Sequence, residues 1–164
     1  MALPGWGRST LGPTTVTSGL DHARIQRTLQ DLCQRAGWPY AEAWRANADG
    51  TCDLLPAWYC GDSALAESFR RPTEALGSVR GMELPVRVLR SGRVTFVAEV
   101  TTDLRFLRRG IAARAGLAWG LGVPILAGET VTAVLGFFGR ATDTPAEPKI
   151  VELAREAARR LQVR

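Results

Sequence analysis

Gly116 to Gly139 reads GLAWGLGVPILAGETVTAVLGFFG. Two apolar runs flank Ala127-Gly128-Glu129-Thr130. Gly at the first central position of a two-residue loop signals a type II′ hairpin. That loop pairs Ala127 with Thr130. Continuing outward, the expected register sets Leu126 against Val131, Ile125 against Thr132, Val123 against Val134 and Trp119 against Phe138. Both faces of the hairpin are apolar, so the sheet must be covered on both sides. Pro124 cannot donate to a ladder, and its nitrogen points toward the next strand, which must therefore bulge or end nearby.

The 164 residues suit one domain with a real core. No apolar run is long enough for a membrane helix, and the N-terminus lacks a signal-peptide pattern, so a cytoplasmic location without membrane contact is expected. Cys33, Cys52 and Cys60 are odd in number and lack metal spacing, which suits reduced thiols. His22 is the single histidine, which excludes multi-histidine metal sites. The formal charge is +5, carried almost wholly by arginine, with Lys149 the one lysine. Ten arginines lie between Arg70 and Arg114. No recognition helix or aromatic RNA-binding motif accompanies them, so they are read as a solvated face and no nucleic-acid partner is expected.

Residues 1–17 are rich in Gly, Thr, Ser and Pro and read as a flexible leader. A single domain is expected over residues 18–163. Ser18 is the expected N-cap of a first helix, with an acid at Asp21 and with Ile25, Leu29, Leu32 and Ala36 at helical spacing. Gly37 and Pro39 end it. Pro39–Arg45 and Cys52–Cys60 read as a second hairpin around the turn Asn47-Ala48-Asp49-Gly50, with Pro56 marking an edge or bulge. Short helices are expected over Gly61–Arg71 and Leu84–Arg90, a strand over Arg93–Val100, and a helix over Leu104–Ala115 with Leu104, Leu107 and Ile111 inward. Thr144-Pro145-Ala146-Glu147 starts a last helix, with Ile150, Ala154, Ala157 and Leu161 in an apolar stripe. That helix runs to the final residues, which points to continuation into a further module.

The words WPYAEAW, ADGT and LLPAWY, then RSGRVTFVAEVTTDLRF and AARAGLAWGLGVPILAGETVTAVLGFF, resemble in this order a GAF domain of bacterial signalling proteins. The resemblance spans Leu20 to Leu161. It is nearest to the modules attached to sensor histidine kinases and cyclic-di-GMP enzymes. It implies an α+β fold: an antiparallel sheet, N- and C-terminal helices on one face, and a ligand-covering segment of loops and helices, Gly61–Ala115, on the other. Bilin-binding members carry a Cys-His pair where this chain has Asp103-Leu104, and the signature of the cyclic-nucleotide binders is missing. Members that reduce methionine sulfoxide use cysteines in the cover and loops, whereas Cys52 and Cys60 fall on the early hairpin and read as packing residues.

The function expected is a non-catalytic, small-molecule-sensing regulatory module of a two-component or related signalling system. It works as a homodimer through its terminal helices, needs no cofactor, and regulates a kinase or cyclase output domain. The ligand itself is not identified by the sequence. Two alternatives stand beside this reading: a ligand-free dimerisation and relay module, and a small redox enzyme. Any ligand is expected between sheet and cover, among Trp44, Trp58, Phe96, Phe106, Ile111, Arg114 and Trp119, with Arg114 as a fixed positive group at the pocket edge.

Overall fold

The computed structural model describes residues 19–162. Six strands, β1 (Tyr40–Ala46), β2 (Cys52–Cys60), β3 (Ser78–Val79), β4 (Thr95–Val97), β5 (Trp119–Ala127) and β6 (Thr130–Gly139), form one antiparallel sheet in the order β3-β2-β1-β6-β5-β4. Two long helices, α1 (His22–Ala36) and α6 (Glu147–Leu161), pack on one face. The other face carries a helical run made of α2 (Ser63–Leu65), a π-helical turn (Ala66–Arg70) and α3 (Arg71–Leu76). It also carries α4 (Leu84–Ser91), α5 (Arg109–Arg114) and the turns between them. Each face therefore has its own apolar core, as the two-sided hairpin requires.

The central hairpin turns at Gly128, whose φ of 64° is the positive value a type II′ loop demands at that position. Ala127 pairs with Thr130 and Leu126 with Val131, as expected. Beyond them the register moves by one, because Thr132 is a bulged extra residue and Ile125 pairs with Ala133. The Thr132 hydroxyl donates to the Ile125 carbonyl at 3.2 Å. Val123 consequently faces Leu135, and Trp119 faces Gly139 rather than Phe138. The shift suits the indole, since a Cβ on Gly139 would lie 2.4 Å from its Cζ2. β4 pairs only with Gly120, Leu121 and Gly122 and stops short of Pro124, which is the ending that proline calls for.

Asp21 caps α1 by accepting from the Arg24 amide at 3.0 Å, so the cap lies three residues after the expected Ser18. Ser18 and the leader fall outside the described residues. Gly37 closes α1 in the left-handed conformation. α6 starts after Ala146 with Pro148 in its first turn, two residues later than the sequence suggests. The register of β2 against β1 shifts around Leu55–Ala57, where Pro56 is exposed, in line with a bulge there.

The cover departs most from expectation. The predicted strand over Arg93–Val100 is three residues of β4, and the predicted helix over Leu104–Ala115 is helical only over α5. Residues 101–108 run as successive turns, so the inward face is not the helical one. Leu104 and Leu107 are 80% and 59% exposed, while Phe106, Arg108 and Ala112 point inward and are fully buried.

Glycines on the cover face of β5 set how closely α4 approaches. A Cβ at Gly122 would lie 2.4 Å from Cγ2 of Val88, and one at Gly120 would lie 3.1 Å from Val100 and 3.2 Å from Leu84. Gly122→Ala is expected to destabilise the fold by about 1–3 kcal/mol through overpacking. Val88→Ala in the same chain removes the offending methyl, so the double variant should lose less than the two single losses summed. Denaturant unfolding of all four proteins tests this, because agreement with the sum within about 0.5 kcal/mol would mean the two sites do not touch.

Candidate functional site

Tyr40, Glu42 and Trp44 alternate along β1 and so share the cover face of the sheet. Glu42 is fully buried opposite Gly136, where a Cβ would come within 3.1 Å of its Cγ. The Tyr40 hydroxyl donates to Glu42 Oε1 at 3.0 Å and Trp44 Nε1 donates to Oε2 at 2.6 Å. A second buried carboxylate comes from Glu83, the N-cap of α4. It accepts from its neighbour's amide, Leu84 N, at 3.1 Å.

Arg108 joins the two acids. Its Nη1 donates to Glu42 Oε1 at 3.0 Å and to the Thr73 hydroxyl at 3.3 Å. Its Nη2 lies 2.9 Å from Glu42 Oε2 and donates to Glu83 Oε1 at 3.1 Å. Nε and the backbone amide both reach Glu83 Oε2, at 3.4 and 3.2 Å. Every nitrogen of the guanidinium thus has a hydrogen-bond partner, and the rings of Trp44, Phe69, Phe106 and Phe138 stand 5.1–5.4 Å from its central carbon. Burial pulls the Arg108 pKa down. The charges and hydrogen bonds of Glu42 and Glu83 outweigh burial and hold it above the ordinary arginine value. Burial, reinforced by the Glu42 charge, also raises the Tyr40 pKa and keeps the phenol neutral. Beside them Arg70 stacks 4.8 Å over Trp58 and pairs with Glu74 at 2.8 Å.

The seven residues expected to line one pocket are divided by the sheet. Trp44 and Phe106 are buried on the cover face, with Trp58 and Ile111 partly buried beside them. Phe96 and Trp119 belong to the opposite face, against Trp38 and the terminal helices. The β5 pleat places Trp119 with Leu121, Val123 and Ile125, away from the cover. Arg114 is exposed, and the buried arginine of the site is Arg108. The space between sheet and cover is filled by side chains. A cleft of about 600 Å³ lies instead at the hairpin tips, between Leu20, Arg45, Leu89 and Val131. Glu42, Glu83 and Arg108 are what sequence reading missed. One signal was present, a lone acid among apolar residues in Tyr40–Trp44. Nothing in LRFLRRG marks Arg108 over its neighbours.

The cysteines do not assemble. Cys33 lies in the core behind the sheet and Cys52 in the core beneath the cover. Cys52 and Cys60 are eight residues apart on one strand, about 26 Å. Burial pushes the Cys52 thiol up to about 12 and raises Cys33 as well, so neither is a ready thiolate. Among the described residues no group of His, Cys, Asp or Glu side chains is arranged to hold a metal ion, and no helix is long and apolar enough to cross a membrane.

Asp103 ties the turn segment down from outside. It lies 2.8 Å from Arg87 Nη1 and accepts from the Arg105 amide at 2.9 Å. Burial raises its pKa, but the Arg105 amide, the Arg87 guanidinium and the Arg105 side chain together hold it below the usual carboxylate range. A carboxyl lowered by folding contributes stability that is complete above its unfolded pKa and lost as pH falls through its folded one. The cover is therefore expected to loosen in acid, below about pH 4, and Asp103→Asn should flatten that part of the pH dependence. Hydrogen exchange of residues 98–117 at a series of pH values checks it, and an equal acid response in both proteins would contradict it.

A sheet with paired terminal helices behind it, and polar groups buried under a cover of short helices and turns, defines a small α+β domain covered on both faces. A family model for the GAF domain matches residues 20–162, and the chain belongs to that family, one of sensory and regulatory modules. A search of curated proteins finds no match. Solved structures share the fold at low identity. A GAF domain/HD domain protein from Geobacter sulfurreducens aligns at TM-score 0.61 and 10% identity, covering 84% of this chain and 89% of that one. The type II free methionine-R-sulfoxide reductase of Thermoplasma acidophilum aligns at 0.64 and 11%, covering 87% and 94%. The NreA protein of Staphylococcus aureus, mutated in its nitrate binding site, aligns at 0.57 and 19%, covering 84% and 97%. An enzyme and a nitrate-binding protein on one fold show that the fold does not choose between functions.

Proposed function

We propose that this GAF domain is a non-catalytic sensory module that binds a small molecule between the sheet and its cover and passes that event to a signalling output domain. The observation that carries the reading is the Glu42–Arg108–Glu83 cluster. Buried charges are a weak source of stability and gather where a protein recognises or responds to something. The cover above them is built of short helices and turns, the kind of structure that opens most readily. The dispersed, protonated thiols argue against the redox-enzyme alternative. The ligand-free relay reading also has an observation in its favour, the solid filling beneath the cover. A thermal-shift panel of metabolites and nucleotides, followed by hydrogen exchange on each hit, separates the two. Ligand-dependent exchange in residues 63–117 supports sensing, and no hit across the panel supports the relay.

Dimerisation belongs to the same proposal. The stripes Ile25/Leu29/Leu32 and Ala157/Leu161 are buried against the sheet, so a partner would meet a different side of the terminal helices. Val151 is 39% exposed on α6, with Glu147 one turn before it and Arg155 one turn after it. Two such helices laid antiparallel match acid to base and Val151 to Val151, as a twofold interface needs. Light scattering at about 50 µM is expected to show a dimer that Val151→Glu converts to monomer. A monomer before substitution would remove this part of the reading.

A further inference from the structure

We propose that the compartment under the cover is a cation-recognition site, selective for a guanidinium or alkylamine ligand, and that Arg108 is its tethered occupant in the closed form. This rests on the sensing reading and gives its ligand a chemical class. Without Arg108, what remains is a cage of two fully buried carboxylates, Glu42 and Glu83, a hydroxyl from Thr73, and the rings of Trp44, Phe69 and Phe138, since Phe106 belongs to the segment that carries Arg108. Two acids share one guanidinium, with Arg70 beside them paired to its own Glu74. A planar cation satisfies both carboxylates and faces the aromatic walls. A neutral or anionic ligand in the same place would leave buried carboxylates unpaired.

The occupant is attached to a part of the cover built of turns. Arg108 follows the run of turns over 101–107 and caps the six-residue α5. Around it Leu104 and Leu107 stand in solvent. Only Phe106, Arg108 and Ala112 of this segment are buried under the sheet, together with the outer tie of Asp103 to Arg87. Lifting the segment removes the chain's guanidinium and frees the cage for another. Exchange of one cation for another leaves the charge balance of the buried cluster unchanged, so this ligand class opens the cover at the smallest electrostatic penalty. An external ligand competes with the tethered one, and its apparent affinity is lowered by the small fraction of molecules in which the cage is free.

The test uses methylguanidinium chloride against methylurea, its neutral near-isostere, at constant ionic strength. Calorimetric titration is run on the unsubstituted protein, on Arg108→Met and on Arg108→Lys, which keeps the charge if the methionine variant does not fold. Arg108→Met should bind methylguanidinium one to one, about tenfold or more tightly than the unsubstituted protein, whereas Arg108→Lys, whose tethered ammonium still occupies the cage, should stay close to the unsubstituted protein, and neither should bind methylurea. In the unsubstituted protein, millimolar methylguanidinium should speed hydrogen exchange over residues 98–117 and methylurea should not. Equal response to the two probes in every protein overturns the cation assignment. If the metabolite panel then yields another ligand that alters exchange in the cover, the sensing reading stands without it. If nothing alters that exchange, both readings fall.

Discussion

Arg108→Met is expected to lower the stability of the domain by about 3–5 kcal/mol, the loss that follows when one member of a buried ion pair is removed and the other is left uncompensated. Glu42 and Glu83 are both fully buried and both depend on Arg108. Their remaining donors are Tyr40, Trp44 and the backbone amides of Leu84 and of position 108, all neutral. The triple variant Glu42→Gln/Glu83→Gln/Arg108→Met removes all three charges and retains a hydrogen-bonding side chain at each acid. It should recover at least about half of the single variant's loss. Denaturant unfolding of the two variants and the parent measures this. If the triple variant is no more stable than Arg108→Met, the single loss is one of packing around the four rings and not of unpaired charge. A domain has roughly 5–15 kcal/mol in hand, so a loss at the low end of the expected range leaves the single variant foldable for the ligand titrations.

The same cluster shows where sequence reading reaches its limit. The sheet was legible because each strand carries a local signal. Gly128 dictates the hairpin turn, Asn47–Gly50 the other one, and β2 has the bounds its apolar pattern suggests. The bulge at Thr132 was not legible, because it answers a contact between Trp119 and Gly139 at the far end of the hairpin. The cover was read as regular helix since Leu104, Leu107 and Ile111 recur at helical spacing. Turns replace the helix there, and the ion pairs of Arg108 and Asp103 fix which side faces in. Those pairs join residues up to 66 positions apart, a relation that no local periodicity carries. The resemblance to the GAF family directed attention to the space between sheet and cover. It did not reveal that an arginine of the chain occupies it.

Trp119→Ala is expected to cost about 3–5 kcal/mol while leaving the compartment under the cover undisturbed. The indole is fully buried behind the sheet, edge-on to Trp38 at 4.9 Å. Its Nε1 donates to the Arg140 carbonyl at 3.0 Å and to Asp143 at 3.1 Å, which ties the end of β6 to the turn leading into α6. Truncation removes the ring that Gly139 was made small to receive, and a cavity opens between sheet and terminal helices. Trp119→Phe keeps an aromatic ring and loses the hydrogen bonds, so about 1–3 kcal/mol is expected. Neither change reaches the Arg108 cage, because the β5 backbone stands between them. Hydrogen exchange over residues 98–117 and the response to methylguanidinium should therefore match the parent in Trp119→Phe, even as global stability falls. A changed cover in that variant would place the indole in communication with the site and restore Trp119 to the ligand pocket that the sequence alone assigned to it.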